Sequence, residues 1–283
     1  MTVAQEFTAS QTSAADAVTT AGQLPPLRLP LPTAAFARCD RRESGCQKRA
    51  GEAASAPPQD ESALAWYRWL AGHHLAVGVW RLQLDHLAVL LEPHCSPSAA
   101  VAAMRSIAVL YDSYSALLLY SGSCAPEAYS AVIRSRMKAR HAAFSGTWAR
   151  EYERISLLLA ELGRGTDDRL KNAMRFNRLV HMSVGRRLVP NGKSLLRESG
   201  GVPGTTTDAD RDRFDEFFLI SREAVCRHVL AAVLVDRVTL VLDDIARVPL
   251  DIEYDNDAVR RFQTDVPSHL ATLVGAVGTW KVL

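Results

Sequence analysis

Two histidines, His74 and His228, carry the most chemical meaning in the sequence, because each stands on the apolar stripe of a long helical segment. In the first segment, Tyr67, Leu70, His74, Val77, Arg81, Leu84, Ala88 and Leu91 recur at alternating spacings of three and four. In the second, Val225, His228, Ala232, Val235, Thr239 and Leu242 do the same. Imidazoles so placed are expected to point into a bundle. A single inward histidine is most often a core residue satisfied by a carbonyl, but a pair on facing helices is how a bundle builds a metal or cofactor site.

The surrounding residues narrow the choice. No HExxH or ExxH pattern lies near either position, and neither a four-ligand zinc set nor a two-histidine, one-carboxylate iron set is visible. A haem asks for less: one axial imidazole, an apolar slot, and cations for its propionates. Leu70 and Trp80 near the first histidine, and Arg222 and Arg227 near the second, supply these, with His181 as a further propionate partner or labile ligand. There is no CxxCH attachment motif.

The elements that must position these groups are helices. Residues 1–59 are rich in Ala, Thr, Ser and Pro, with Pro25, Pro26, Pro30, Pro32, Pro57 and Pro58 interrupting any helix, and are expected to form a flexible tail. Residues 60–283 are expected to form one all-helical domain. Asp60 starts a helix that stops before Pro93, and a second runs from Pro97 to about Tyr120. A third region spans Glu127 to Leu162 with a break at Phe144-Ser145-Gly146, and a fourth spans Asp167 to Val189. After the Gly/Thr-rich loop of residues 198–207, Asp208 to Arg247 is expected as one long helix and Asp257 to Val277 as the last. No strand alternation or internal repeat appears, so the class is all-α, a bundle of long helices.

Three segments carry a family resemblance. The run from Trp69 to Trp80 (WLAGHHLAVGVW) resembles the distal-histidine helix of the haem-dependent tryptophan dioxygenase superfamily, in which Trp follows His by six residues, here His74 and Trp80. Pro126 to Arg134, with Phe144-Ser145-Gly146 behind it, resembles that family's PxDFxxFR…SGFQS segment, and Arg227-His228-Val229 resembles its proximal RHV segment. The GTGGS loop that helps hold tryptophan is absent after His228, and the chain is closer to the haem-dependent L-tyrosine 3-hydroxylases of antibiotic pathways, of the lincomycin-pathway type. The resemblance implies a tryptophan dioxygenase-like helical fold and hydroxylation of L-tyrosine to L-DOPA by hydrogen peroxide, or by dioxygen with a reductant. It implies a b-type haem ligated by His228, with His74 as acid–base group and Arg134, or Arg136 or Arg140 in its place, on the substrate carboxylate beside Ser145 and Gly146. Related enzymes attach haem through an HxxxC motif; Ala232 stands at that Cys position, so a non-covalent haem is expected. Superfamily members are oligomers, which implies a homodimer or homotetramer.

Composition sets outer limits. With 33 Lys and Arg against 31 Asp and Glu, the net charge of +2 offers no basic excess for a nucleic acid or an anionic membrane surface. No apolar run approaches the ~20 residues of a membrane span, and the start of the chain does not read as a secretion signal, so a cytoplasmic protein is expected. Five scattered cysteines, without a CxxC pair, are expected as thiols serving neither a disulfide framework nor zinc. Beside the hydroxylase stand three other readings: an indole-ring dioxygenase of the same superfamily, a non-catalytic haem carrier and a cofactor-free helical scaffold.

Overall fold

The computed structural model of the chain describes residues 24–39, 55–163, 167–189, 192–200 and 206–281. Its centre is α1 (Glu61–Leu90), which Asp60 caps by accepting from the Ala63 amide at 2.8 Å. This helix is buried through its middle, from Leu70 to Leu84 except at His73, so that stretch carries no solvent face to compare with an apolar one. α2 (Pro97–Ser121) begins on a Ser96 cap with proline in the first turn and packs along α1. The two backbones approach closely at Gly72, where an added Cβ would lie 2.7 Å from Ser121 Cβ.

The chain then turns through α3 (Pro126–Ala128), a π-helical turn Tyr129–Arg134 and α4 (Ser135–Arg140). A 3-10 turn, Gly146–Trp148, leads into α5 (Arg150–Leu162), which lies on α1. α6 (Asp168–Leu188) packs on α2 and is followed by the short α7 (Leu195–Glu198). α8 (Asp208–Phe217) opens on a reciprocal capping box between Thr207 and Asp210. Then come β2 (Ile220–Arg222), α9 (Arg227–Arg247), α10 (Asp257–Thr264) and α11 (Val266–Trp280). The class is all-α, as the periodicity indicates, and no described helix is long and apolar enough to cross a membrane.

Three sequence expectations are corrected. The single helix expected over Asp208 to Arg247 is broken, because Leu219 adopts a left-handed φ of 51° and the next three residues become a strand. The last helix divides at Asp265, immediately before Pro267 fills the first turn of α11. Part of the segment read as a flexible tail is ordered: β1 (Leu27–Leu29) pairs in parallel with β2, Leu27 to Ile220 and Leu29 to Arg222. Leu24, Leu27 and Leu29 are buried in the main core, and Arg28 grips Glu223 at 2.5 and 2.8 Å. Prolines exclude helix here but leave carbonyls as acceptors, and those of Pro25 and Pro32 take bonds from Arg237 and Arg81. Residues 1–23 and 40–54 of that expected tail lie outside the described residues.

One ion pair is fully interior. Arg68 on α1 donates Nε–H to Asp244 Oδ2 on α9 at 2.7 Å, and its other nitrogens reach Ser123 Oγ and the Val248 carbonyl. Tyr120 donates to the same carboxylate oxygen at 3.1 Å, while burial and that negative charge push its phenol well above the usual value. Removing one partner strands the other charge. Asp244→Ala is therefore expected to cost about 3–5 kcal/mol, and the joint change Arg68→Met with Asp244→Leu much less. Urea unfolding of the three proteins checks this ordering.

Candidate functional site

The middle of α1 places His73 and His74 side by side on different faces. His74 is completely buried and shares a very short hydrogen bond with the Phe218 carbonyl through Nε2. A carbonyl only accepts, so Nε2 carries the proton, and Nδ1 is left a lone pair with no partner. Burial and the Arg237 guanidinium hold this imidazole well below its usual pKa. His74 points into the bundle as its stripe position predicts, and there it is a strut between α1 and the turn after α8.

His73 has the opposite polarity. Its Nδ1–H donates to the Trp69 carbonyl at 2.7 Å, so Nε2 holds the lone pair. The ring lies 4.3 Å from Trp69 and stacks on Phe218 at 4.4 Å with planes 11° apart. Burial lowers its pKa to about 4, with His181 on α6 pushing the same way. Two aromatic neighbours cover His73; His181 is exposed on its helix.

An aromatic box surrounds this pair. Phe144 packs against Phe214, Phe217, Phe218 and Trp148; Trp66 meets Phe217 edge-on at 5.6 Å, and Trp69 meets Tyr129 at 5.6 Å. Phe144 brings Ser145 and Gly146 with it; Ser145 caps the 3-10 turn and Gly146 is exposed. Tyr129 leads to Arg134, whose guanidinium hydrogen-bonds its phenol, donates to the Lys193 carbonyl at 2.9 Å and pairs with Glu198 at 2.7 Å. Arg136 instead lies over the Trp66 ring at 4.6 Å, and Arg140 pairs with Glu216. Leu70 is buried one turn before His74. The structure therefore joins Leu70, His74, Arg134, Ser145 and Gly146 in one region.

The other expected residues are placed elsewhere. Trp80, six residues beyond His74 and so about 120° around the helix, packs edge-on against Tyr114 at 5.2 Å and beside Tyr152. Arg222 is spent on Glu151 and Asp215, and Arg227 on Asp85 at 2.8 Å, so neither is an uncommitted cation for a propionate. His228 is only partly buried, because the core face of α9 runs through Leu230, Leu234, Val238, Val241 and Ile245, out of phase with the stripe read from sequence. Its neighbour Arg227 reaches Asp85, eleven residues beyond His74 on α1.

His228 has other company. Its imidazole and the thiols of Cys39 and Cys226 put their donor atoms within 4.8 Å of one another. No sequence signal pairs Cys39 with Cys226, and only the Cys226-x-His228 spacing could have drawn attention to it.

As holders of a haem, the imidazoles of this chain differ. His74 has spent its protonated nitrogen inside the core, and His228 stands among thiols. His73 has the orientation of an iron ligand, one ring N–H fixed by a backbone carbonyl and the other nitrogen carrying its lone pair, with aromatic rings at its sides.

Comparison with protein families decides the class. The chain belongs to the SfmD 3-methyl-L-tyrosine peroxygenase family, whose sequence model matches residues 2–177. It is thus a member of a family of peroxide-using, tyrosine-modifying enzymes. The match includes the aromatic box as far as Trp148, with His73, His74 and Arg134, and stops before β2 and α9. No curated protein matches the chain.

The buried imidazoles set a pH dependence. Above pH 6.5 folded and unfolded forms are both neutral there and no slope arises. Between 6.5 and about 4 the unfolded chain binds a proton that folded His73 refuses, so stability falls as pH falls, by up to about 1.4 kcal/mol per unit for each such group. His74, also held well below its usual pKa, contributes in the same direction. Urea midpoints at pH 7.5, 6 and 5 should decline in that order, and His73→Phe should flatten the decline.

Proposed function

We propose that this chain is a haem-dependent peroxygenase that hydroxylates the ring of L-tyrosine at the 3-position to give L-DOPA, in an antibiotic pathway. The observation that carries this reading is the family match, which includes His73, His74, Arg134 and the aromatic box as far as Trp148. One peroxide oxygen replaces a ring hydrogen as hydroxyl and the other leaves as water. His73 would hold a b-type haem through Nε2, and the bound haem supplies the activation of peroxide.

The chain's own residues do the rest. The ring of the substrate is bound by the aromatic box, where Phe144, Phe217 and Trp66 offer edge and face contacts. Arg134 pairs with the substrate carboxylate in the place now taken by Glu198, a half-exposed side chain that can yield. The Lys193 carbonyl and the Tyr129 phenol hold the guanidinium while the partners exchange. His74 keeps the Phe218 ring against His73 through the carbonyl it binds.

Purified protein supplied with haem should show a Soret band that shifts with L-tyrosine and should form L-DOPA with hydrogen peroxide. His73→Ala should lose the band. Arg134→Ala should raise KM about tenfold or more, in line with losing a charge-assisted hydrogen bond, at nearly unchanged haem content. A colourless protein after haem supplementation overturns the reading.

A further inference from the structure

Four side chains between α1, α2 and α5 form an aromatic file that the hydroxylation reading does not use. Trp80 on α1 is 5% exposed; it meets Tyr114 of α2 edge-on at 5.2 Å and Tyr152 of α5 at 5.6 Å. Tyr111 stands one turn before Tyr114 on α2, and burial, with the Tyr152 phenol nearby, pushes both of these phenols above their usual pKa. The file reaches the surface at Tyr152, which is 39% exposed.

We propose that this file is an exit path for oxidising equivalents, along which Tyr152 gives electrons one at a time to the interior and regains them at the surface from a small water-soluble reductant of the ascorbate type. The proposal rests on the peroxide-using reading above. When hydrogen peroxide is present and no substrate is bound, the oxidising power is spent on the protein itself, and oxidisable rings in van der Waals reach of one another are where it goes.

Three features set the direction. An indole can lose an electron without first losing a proton, so Trp80 can be oxidised where water is excluded. A phenol sheds its proton as it is oxidised, which burial makes costly at Tyr111 and Tyr114, whereas Tyr152 faces solvent that can take it. The aromatic residues closer to His73 are poorer routes, because a positive charge beside a ring disfavours loss of an electron from it. Arg136 lies over the Trp66 ring at 4.6 Å, and the buried Tyr129 is held by Arg134. Among the described residues no guanidinium lies over Trp80, Tyr114 or Tyr152.

The balance closes with peroxide as oxidant. For each hydrogen peroxide, two electrons pass in succession from Tyr152 through Trp80, and each time the phenol releases its proton to solvent. The O–O bond breaks, and with two protons taken up the two oxygens leave as two waters. Each phenoxyl radical recovers one electron and one proton from ascorbate, so two ascorbates become two ascorbyl radicals.

The test uses the full-length chain supplied with haem. Mixed with hydrogen peroxide without L-tyrosine and frozen rapidly, it should show a tyrosyl radical by electron paramagnetic resonance, and ascorbate should quench the radical while being consumed. Tyr152→Phe removes one hydroxyl and keeps the ring that packs on Trp80. It should lose the radical, slow ascorbate consumption severalfold and hasten bleaching of the Soret band by peroxide, while Tm and the rate of L-DOPA formation stay at wild-type values. Trp80→Phe should lose the Tyr152 radical as well. A radical and an ascorbate rate that Tyr152→Phe leaves unchanged overturn the proposal, as does a wild-type chain that forms L-DOPA but no tyrosyl radical. A chain that takes up no haem overturns the proposed function and this path with it. A chain that shows the Soret band and the Tyr152-dependent radical but makes no L-DOPA fails only the substrate assignment and supports the path.

Discussion

The central stretch of α1, buried from Leu70 to Leu84 except at His73, carries polar side chains into the core, and other parts of the molecule meet several of them there. Arg68 draws in Asp244 from α9, and Arg81 takes the Pro32 and Ala34 carbonyls of the strap. His74 takes the Phe218 carbonyl, while Asp85 accepts from Arg227 and from Trp280 at the end of α11. Each of these groups would cost several kcal/mol if left without a partner. The partners come from the strap, the turn after α8, both ends of α9, and α11, so α1 fixes where each of them lies.

This constraint explains why the two adjacent histidines differ in what they can do. Position 74 points into the core, so its imidazole is used up in bracing a turn and its pKa is held low. Position 73, 100° around the helix, comes out where the aromatic residues of α8 and the 3-10 turn gather, and its hydrogen bond to the preceding turn of its own helix leaves one nitrogen uncommitted to the fold. A site grows more readily on the second, because a residue that a fold needs for its own satisfaction is poorly placed to serve a ligand.

The helices with clear punctuation were legible from the sequence. Asp60, Ser96 and Asp167 each cap a helix as their positions suggest, and Pro93 and Pro126 mark boundaries. Two of the three segments that carry the family resemblance, those with His74 and Arg134, lie within the family match, and the Arg227-His228-Val229 segment lies outside it. What was not legible has physical causes. Leu219 is a good helix former, so a left-handed residue at that point leaves no mark in periodicity. Proline-rich segments look disordered when their contribution to the fold is made by carbonyls, which composition does not show. The stripe through His228 has a correct period and a wrong phase, because the buried arginine Arg237 and the buried carboxylate Asp244 sit on the true core face of α9, where an apolar count passes over them. The cluster of Cys39 with Cys226 depends on strand pairing between β1 and β2 that neither three-residue strand announces alone.

The break at Leu219 then connects the aromatic region around His73 with the N-terminal strap. A non-glycine residue at positive φ costs about 1 kcal/mol or more, and here it turns the backbone so that the Phe218 carbonyl faces His74 while the next residue begins β2. β2 in turn is the strand on which the strap is laid, and the strap ends at Cys39. One short stretch of backbone therefore supports the aromatic wall that stacks on His73 on its one side and the strap on its other. Ile220, which pairs with Leu27 of the strap, is two residues from the Phe218 ring that stacks on His73.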